Sequence, residues 1–238
     1  MFIRTLDSLK ISEKISGLVG NHTAIIYLAE HSEVNVQELI EYLNKKNISF
    51  LGGIFPKIIY KDELLDKGMV VDVLSNVESI QLIKNISKKR YEIEDFDFEK
   101  GQHYSIITLV DGLTTHISDY LEKLYECYGI QTNYFGGGAG HLSLDQKPCI
   151  FCNDGFYQDA AIFAILNTNS SIGVDHGWHK LSGPYIVTKA KGNIIKEINW
   201  KNPFEIYSEI VEKHSNKKFS EDNFFEIAQG YPFGILIT

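Results

Sequence analysis

Gly136-Gly137-Gly138-Ala139-Gly140 carries the strongest chemical suggestion in the sequence. Glycines let backbone N–H groups come close to an anion, as phosphate-cradling loops do. No Gly-Lys-Ser/Thr follows, and His141-Leu142-Ser143-Leu144 does not open a helix, so the nucleotide-loop contexts are missing. The run suits a sharp bend or tight strand packing, with ligand contact as a secondary use. Asp175-His176-Gly177-Trp178-His179 is the densest polar and aromatic cluster. On a strand its two histidines, three residues apart, point to opposite faces, which argues against a shared metal. Cys149 and Cys152 have the same spacing inside an apolar run, so a redox pair is not expected. Cys127 falls on the apolar helical face between Leu124 and Tyr128, where a buried inert thiol is the default. No Gly-x-Ser-x-Gly elbow or His-Glu-x-x-His is present, and no nucleophile, base and orienter assemble. The residues favour a ligand-binding domain over an enzyme.

The elements that would hold these residues follow from periodicity. Ala24–Ala29 is a compact apolar run of buried-strand length. Asn35 can cap a helix with Glu38 at the capping-box position, and Val36, Leu39, Ile40 and Leu43 line one face. Ser49–Phe55, Lys57–Tyr60 and Met69–Leu74 read as strands. Lys84–Lys100 is charge-rich and reads as a solvated connection. Tyr104–Val110 then forms a strand closed by an Asp111-Gly112 turn. Ile117, Leu121, Leu124 and Tyr128 mark a helix that Gly129 ends, and Gln131–Phe135 runs as a strand into the glycines. Such strand–helix–strand alternation predicts βαβ crossovers and a partly parallel sheet. Beyond it, Cys149–Cys152 and Ala160–Leu166 flank an Asn153-Asp154-Gly155 turn, and Tyr185–Ala190 and Ile194–Ile198 flank Lys191-Gly192-Asn193. Asn202-Pro203 with Glu205 starts a helix, a second spans Glu221–Ala228, and Phe233–Thr238 resembles a strand. The expected fold class is α/β with α+β elements: a mixed sheet with βαβ crossovers first and antiparallel hairpins later. Residues 1–23 read as an N-terminal arm.

Composition narrows the class of function. The 238 residues are 44% hydrophobic and 23% charged, an ordinary globular balance that excludes disordered and fibrous classes. A net charge of −8 argues against nucleic acid or an anionic membrane as partner. No apolar run approaches the roughly 20 residues of a membrane span. The amino-terminal residues lack a signal-peptide pattern, and three cysteines suit a reducing compartment. A cytoplasmic protein is expected.

Four stretches in order resemble the FIST family of intracellular sensory domains. They are Gly52-Gly53-Ile54-Phe55-Pro56, Val110-Asp111-Gly112-Leu113, the glycine run with Phe151–Ala164, and His176-Gly177-Trp178 with Val187–Ala190 and Gly192-Asn193. The resemblance covers residues 24–198 as the family's N-type domain, and residues 199–238 resemble an incomplete start of its C-type domain. His141 stands where many members carry an acid. The resemblance implies a bacterial-type sensor that binds a small molecule, with amino acids proposed for the family, and relays its state in signal transduction. For a subset it implies a haem-based nitric-oxide sensor acting on a histidine kinase or a cyclic-di-GMP enzyme, with His176 or His141 as the haem ligand. An uncharacterised enzyme is the third reading.

On these grounds the expected pocket lies where Asp111-Gly112, Gly136–Gly138, His141, His176 and Trp178 converge near strand ends. Asp111 would accept an ammonium group and the glycine N–H groups would hold a carboxylate.

Overall fold

The computed structural model describes residues 1–4, 7–173, 177–191 and 194–236, which divide into two compact units, 1–173 and 174–238. In the first unit, β1 (Phe2–Ile3) and α1 (Ser8–Val19) precede β2 (Thr23–Ala29), α2 (Val36–Lys45) and β3 (Phe50–Phe55). A small hairpin, β4 (Ile58–Tyr60) and β5 (Glu63–Leu65), leads to β6 (Met69–Leu74) and β7 (Val77–Lys84). Then come β8 (Ser105–Asp111), α3 (Ile117–Tyr128), β9 (Asn133–Ala139), β10 (Ile150–Cys152), β11 (Gly155–Tyr157) and β12 (Ala160–Leu166).

Apart from β4 and β5, which pair with each other, these strands form two sheets, ordered β1-β6-β2-β3-β10-β11 and β7-β12-β8-β9. Each sheet is built around one βαβ crossover. β2 and β3 are parallel through α2, and β8 and β9 are parallel through α3, while the remaining pairings in both sheets are antiparallel. Alternation along β8 and β12 explains how the sheets pack. Ile107, Leu109, Ile162 and Ala164 enter the core shared with β2, β3, β10, α1 and α2, whereas Ile106, Val110, Phe163 and Ile165 face α3. The unit is therefore layered helices, sheet, sheet, helix. Full burial of side chains such as Phe50, Phe151 and Phe163 contributes about 1.5–3 kcal/mol each.

Several expectations hold in detail. Asn35 caps α2 by accepting the Glu38 N–H at 3.2 Å, and Gly129 ends α3 at φ +73°. The expected face of α3 is corrected at one position: Tyr120, Leu124 and Tyr128 are its buried residues, whereas Leu121, expected among them, is exposed.

Others do not. The opening residues are no arm: β1 pairs with β6, and α1, capped by Asp7, buries Ile11, Ile15 and Val19. Serines at positions 8 and 12 complete its buried face, which is why the apolar stripe looks weak in sequence. The Lys84–Lys100 segment is tied down rather than freely solvated. Ile86 and Ile93 are buried, Tyr91, Phe96 and Phe98 pack on the α3 side, and Gln81 bonds the Glu94 backbone in both directions. The Asn153-Asp154-Gly155 turn joins β10 to β11, and β12 belongs to the other sheet. Finally, Gly136–Gly138 lie within β9 instead of forming a bend after it.

In the second unit, β13 (Val187–Lys191) and β14 (Ile194–Ile198) form an antiparallel hairpin, followed by α4 (Pro203–Ser215) and α5 (Phe224–Ala228). Asn202 caps α4 through the Phe204 N–H at 2.9 Å. Of the strand expected over 233–238, residues 233–236 have no regular structure, and 237 and 238 lie outside the described residues. The compact division falls at 173/174, inside the 24–198 segment that the resemblance covers. Among the described residues no helix is long and apolar enough to cross a membrane.

Candidate functional site

The C-terminal ends of the four parallel strands meet at one end of the first unit. β9 reaches β3 there: the Gly140 N–H donates to the Ile54 carbonyl at 2.8 Å, and a Cβ on Gly53 would lie 3.0 Å from that of Ala139. Gly112 closes on β9 by donating to the Ala139 carbonyl at 2.7 Å, with its Cα 3.4 Å from a Cβ built on Gly138. Asp111, Gly112 and Gly138 are thus brought together, as the sequence suggested. They meet by close packing, and none of the three lines the groove described below.

Asp111 ends β8 at 1% exposure. Its Oδ1 accepts the Leu113 N–H at 3.0 Å, and its Oδ2 accepts the Asp159 N–H at 2.7 Å and the Gln146 amide at 3.0 Å. A buried carboxylate requires such donors, because an unpaired one is expensive to desolvate. Burial, and next the Asp111 carboxylate beside it, push the Cys149 thiol up to about 12, so this cysteine is a neutral packing residue.

Asp159 extends the knot. It adopts φ +50° just before β12 and accepts the Ser87 N–H at 2.9 Å, the Ser87 hydroxyl at 2.6 Å and the Thr114 hydroxyl. Burial pulls its pKa upward, but the Ser87 and Thr114 hydrogen bonds outweigh it, aided by Lys88, and hold it below the usual aspartate range. A depressed folded-state pKa contributes stability that is present above the unfolded value and lost as pH falls through the folded one. Wild type should therefore lose stability on acidification below about pH 4, and Asp159→Asn should flatten that part of a urea-midpoint-against-pH profile. An unchanged profile would remove Asp159 from the acid response.

A groove of about 500 Å3 opens where β2 and β3 end and α2 begins, within the roughly 300–1,000 Å3 usual for small-ligand sites. Leu28, Val34, Val36, Ile54 and Phe156 line it with the polar Glu30, His141 and Lys147. The Glu30 carboxylate, only 15% exposed, accepts the Leu142 N–H at 2.8 Å and lies 3.5 Å from His141 Nδ1. His141 Nε2 is 3.3 Å from the Pro148 carbonyl. Both ring nitrogens of His141 thus face protein oxygens, and haem ligation would require the ring to turn away from Glu30 or from Pro148.

Of the residues singled out from sequence, His141 lines this groove, while Asp111, Gly112 and Gly136–Gly138 do not. Gly136–Gly138 are exposed on β9, the edge strand of its sheet. His176 lies outside the described residues, and Trp178, half exposed, belongs to the second unit. Sequence reasoning missed Glu30 and Lys147. Glu30 immediately follows a buried parallel strand, where ligands gather in open α/β sheets, and that position was the available signal.

The family model for the FIST N domain matches residues 23–201, well over half of the chain. No curated protein matches the chain, and no solved structure does.

Proposed function

We propose that this chain, which belongs to the FIST family of signal-transduction sensory domains, binds a small ligand in the groove beside His141 and passes its state to a signalling partner. The observation that carries the reading is that groove, an apolar hollow with charged groups at the carboxyl ends of two parallel strands. An amino acid suits the chemistry. Glu30 can accept an ammonium group, Lys147 can meet a carboxylate, and Leu28, Ile54 and Phe156 can cover an apolar side chain. The Asp111 carboxylate already holds three protein donors, so Glu30 takes the role first given to Asp111. The chain acts on this reading as a receptor and not as a catalyst, in the cytoplasm, with a histidine kinase or a cyclic-di-GMP enzyme as the partner class.

Isothermal titration with the twenty L-amino acids tests it. An amino acid that binds wild type should lose tenfold or more in affinity with Glu30→Ala and with His141→Ala. Equal affinity in all three proteins would move the ligand elsewhere, and binding by none of the twenty would remove amino acids as the class. A haemin Soret shift abolished by His141→Ala would put haem in their place.

A further inference from the structure

The eight residues His141–Pro148 leave and rejoin the fold at a single residue. Gly140 donates to the Ile54 carbonyl at 2.8 Å, and the Ile54 N–H donates to the Cys149 carbonyl at 2.8 Å, so both feet of the loop stand on Ile54. Between the feet the loop touches two further places. At its start, Leu142 N–H is bound by Glu30 at the end of β2, in the groove. Further along, Gln146 is bound to Asp111 at the end of β8, outside the groove and in the other sheet.

The loop is braced internally as well. The Leu144 N–H donates to the His141 carbonyl at 3.2 Å, and His141 Nε2 reaches the Pro148 carbonyl. Leu144 holds φ +58°, a left-handed conformation that a leucine adopts only under constraint from its surroundings. Packing does not supply that constraint, since Leu142 and Leu144 are 67% and 70% exposed. Leu144 closes a turn on the His141 carbonyl, between the pinned residues 142 and 146.

We propose that residues 141–148 form a strap that links the groove to the Asp111–Asp159 knot, so that freeing one pin frees the other. His141, Lys147 and Pro148 line the groove, and a ligand that displaces His141 or engages Glu30 acts directly on the first pin. The second pin then loosens at Asp111, whose remaining partners are the turn after β8 and the residue before β12. Occupancy in the first sheet thereby becomes a change at the strand ends of the second. This use as a reporter rests on the groove being the sensory site, whereas the mechanical coupling does not.

Residue-level amide exchange on the full chain separates the two. Gln146 is exposed, so Gln146→Ala leaves the core intact. The strap predicts that this substitution accelerates exchange of the Leu142 amide about tenfold, although its acceptor Glu30 is unchanged. Glu30→Ala should in turn accelerate the Leu113 and Asp159 amides by a similar factor. If each substitution loosens only the amides beside it, the strap is overturned. Should Glu30→Ala fail to fold, the Leu142 amide in Gln146→Ala decides alone. Coupled exchange in a protein that binds none of the twenty amino acids would keep the strap and refute the amino-acid reading. Tight binding with uncoupled exchange would do the reverse.

Discussion

Gly136→Ala is expected to destabilise the first unit by about 3 kcal/mol or more, a large share of the roughly 5–15 kcal/mol that holds a domain folded. A Cβ at Gly136 would sit 1.8 Å from the Thr108 carbonyl oxygen and 2.8 Å from its carbon. Both atoms are backbone, and they belong to β8, which is paired on both sides by β12 and β9. Relief would require breaking the parallel ladder at the Thr108–Gly136 position, because no side chain can swing aside. The backbone adds to the effect, since φ is +155° there. Gly137→Ala is the control: one residue on, in the same strand, a new Cβ meets nothing within 4 Å. That change should alter stability by less than about 1 kcal/mol. Urea unfolding of the two variants beside wild type decides the matter, and equal midpoints would refute the strand placement of the glycine run.

Asp111→Asn should cost about 2–4 kcal/mol despite its near-identical shape. Both oxygens of the native carboxylate accept, one from Leu113 N–H and the other from Asp159 N–H and Gln146. An asparagine has one accepting oxygen and one donating nitrogen. In either flip its NH2 faces a backbone N–H in a site closed to water. Asp111→Ala removes that clash of donors but strands the same backbone groups, and should cost a similar amount. If Asp111→Asn unfolds at the wild-type urea midpoint, the carboxylate is not the organising acceptor of this end of the sheet.

The sequence was most legible where one residue type answers one local demand. The β2–α2–β3 crossover follows from an apolar run, an Asn35 cap and a clean helical face, and Gly129 ends α3 as the left-handed φ requires. Legibility failed where partners come from far along the chain. β7 reads Val77-Glu78-Ser79-Ile80-Gln81-Leu82-Ile83-Lys84, and its polar Gln81 is buried only because Tyr128 and the Glu94 backbone bond it. β12 follows a turn that suggests a hairpin, yet its partners are β7 and β8. The glycine run signals close approach correctly, but composition cannot say whether a ligand or the next strand comes close. At Gly136 it is the next strand. For the site, His141 could be singled out from its place after the glycines, and Glu30 only from its place after a buried strand, since nothing local reveals that residue 142 returns to it.

The two sheets are threaded through each other along the chain. The first six strands stay with the first sheet and its hairpin, β7–β9 build the second, β10 and β11 return to the first, and β12 crosses back. A ribosome making this protein therefore releases a first sheet that still lacks β10 until after β9 has emerged, and a second sheet whose middle strand, β12, comes last. The first sheet has all its strands only once residue 157 is free, and the second only once residue 166 is. Such long-range pairing is formed late and slowly, so the first unit is expected to acquire protease resistance in one step, after the nascent chain has passed that point.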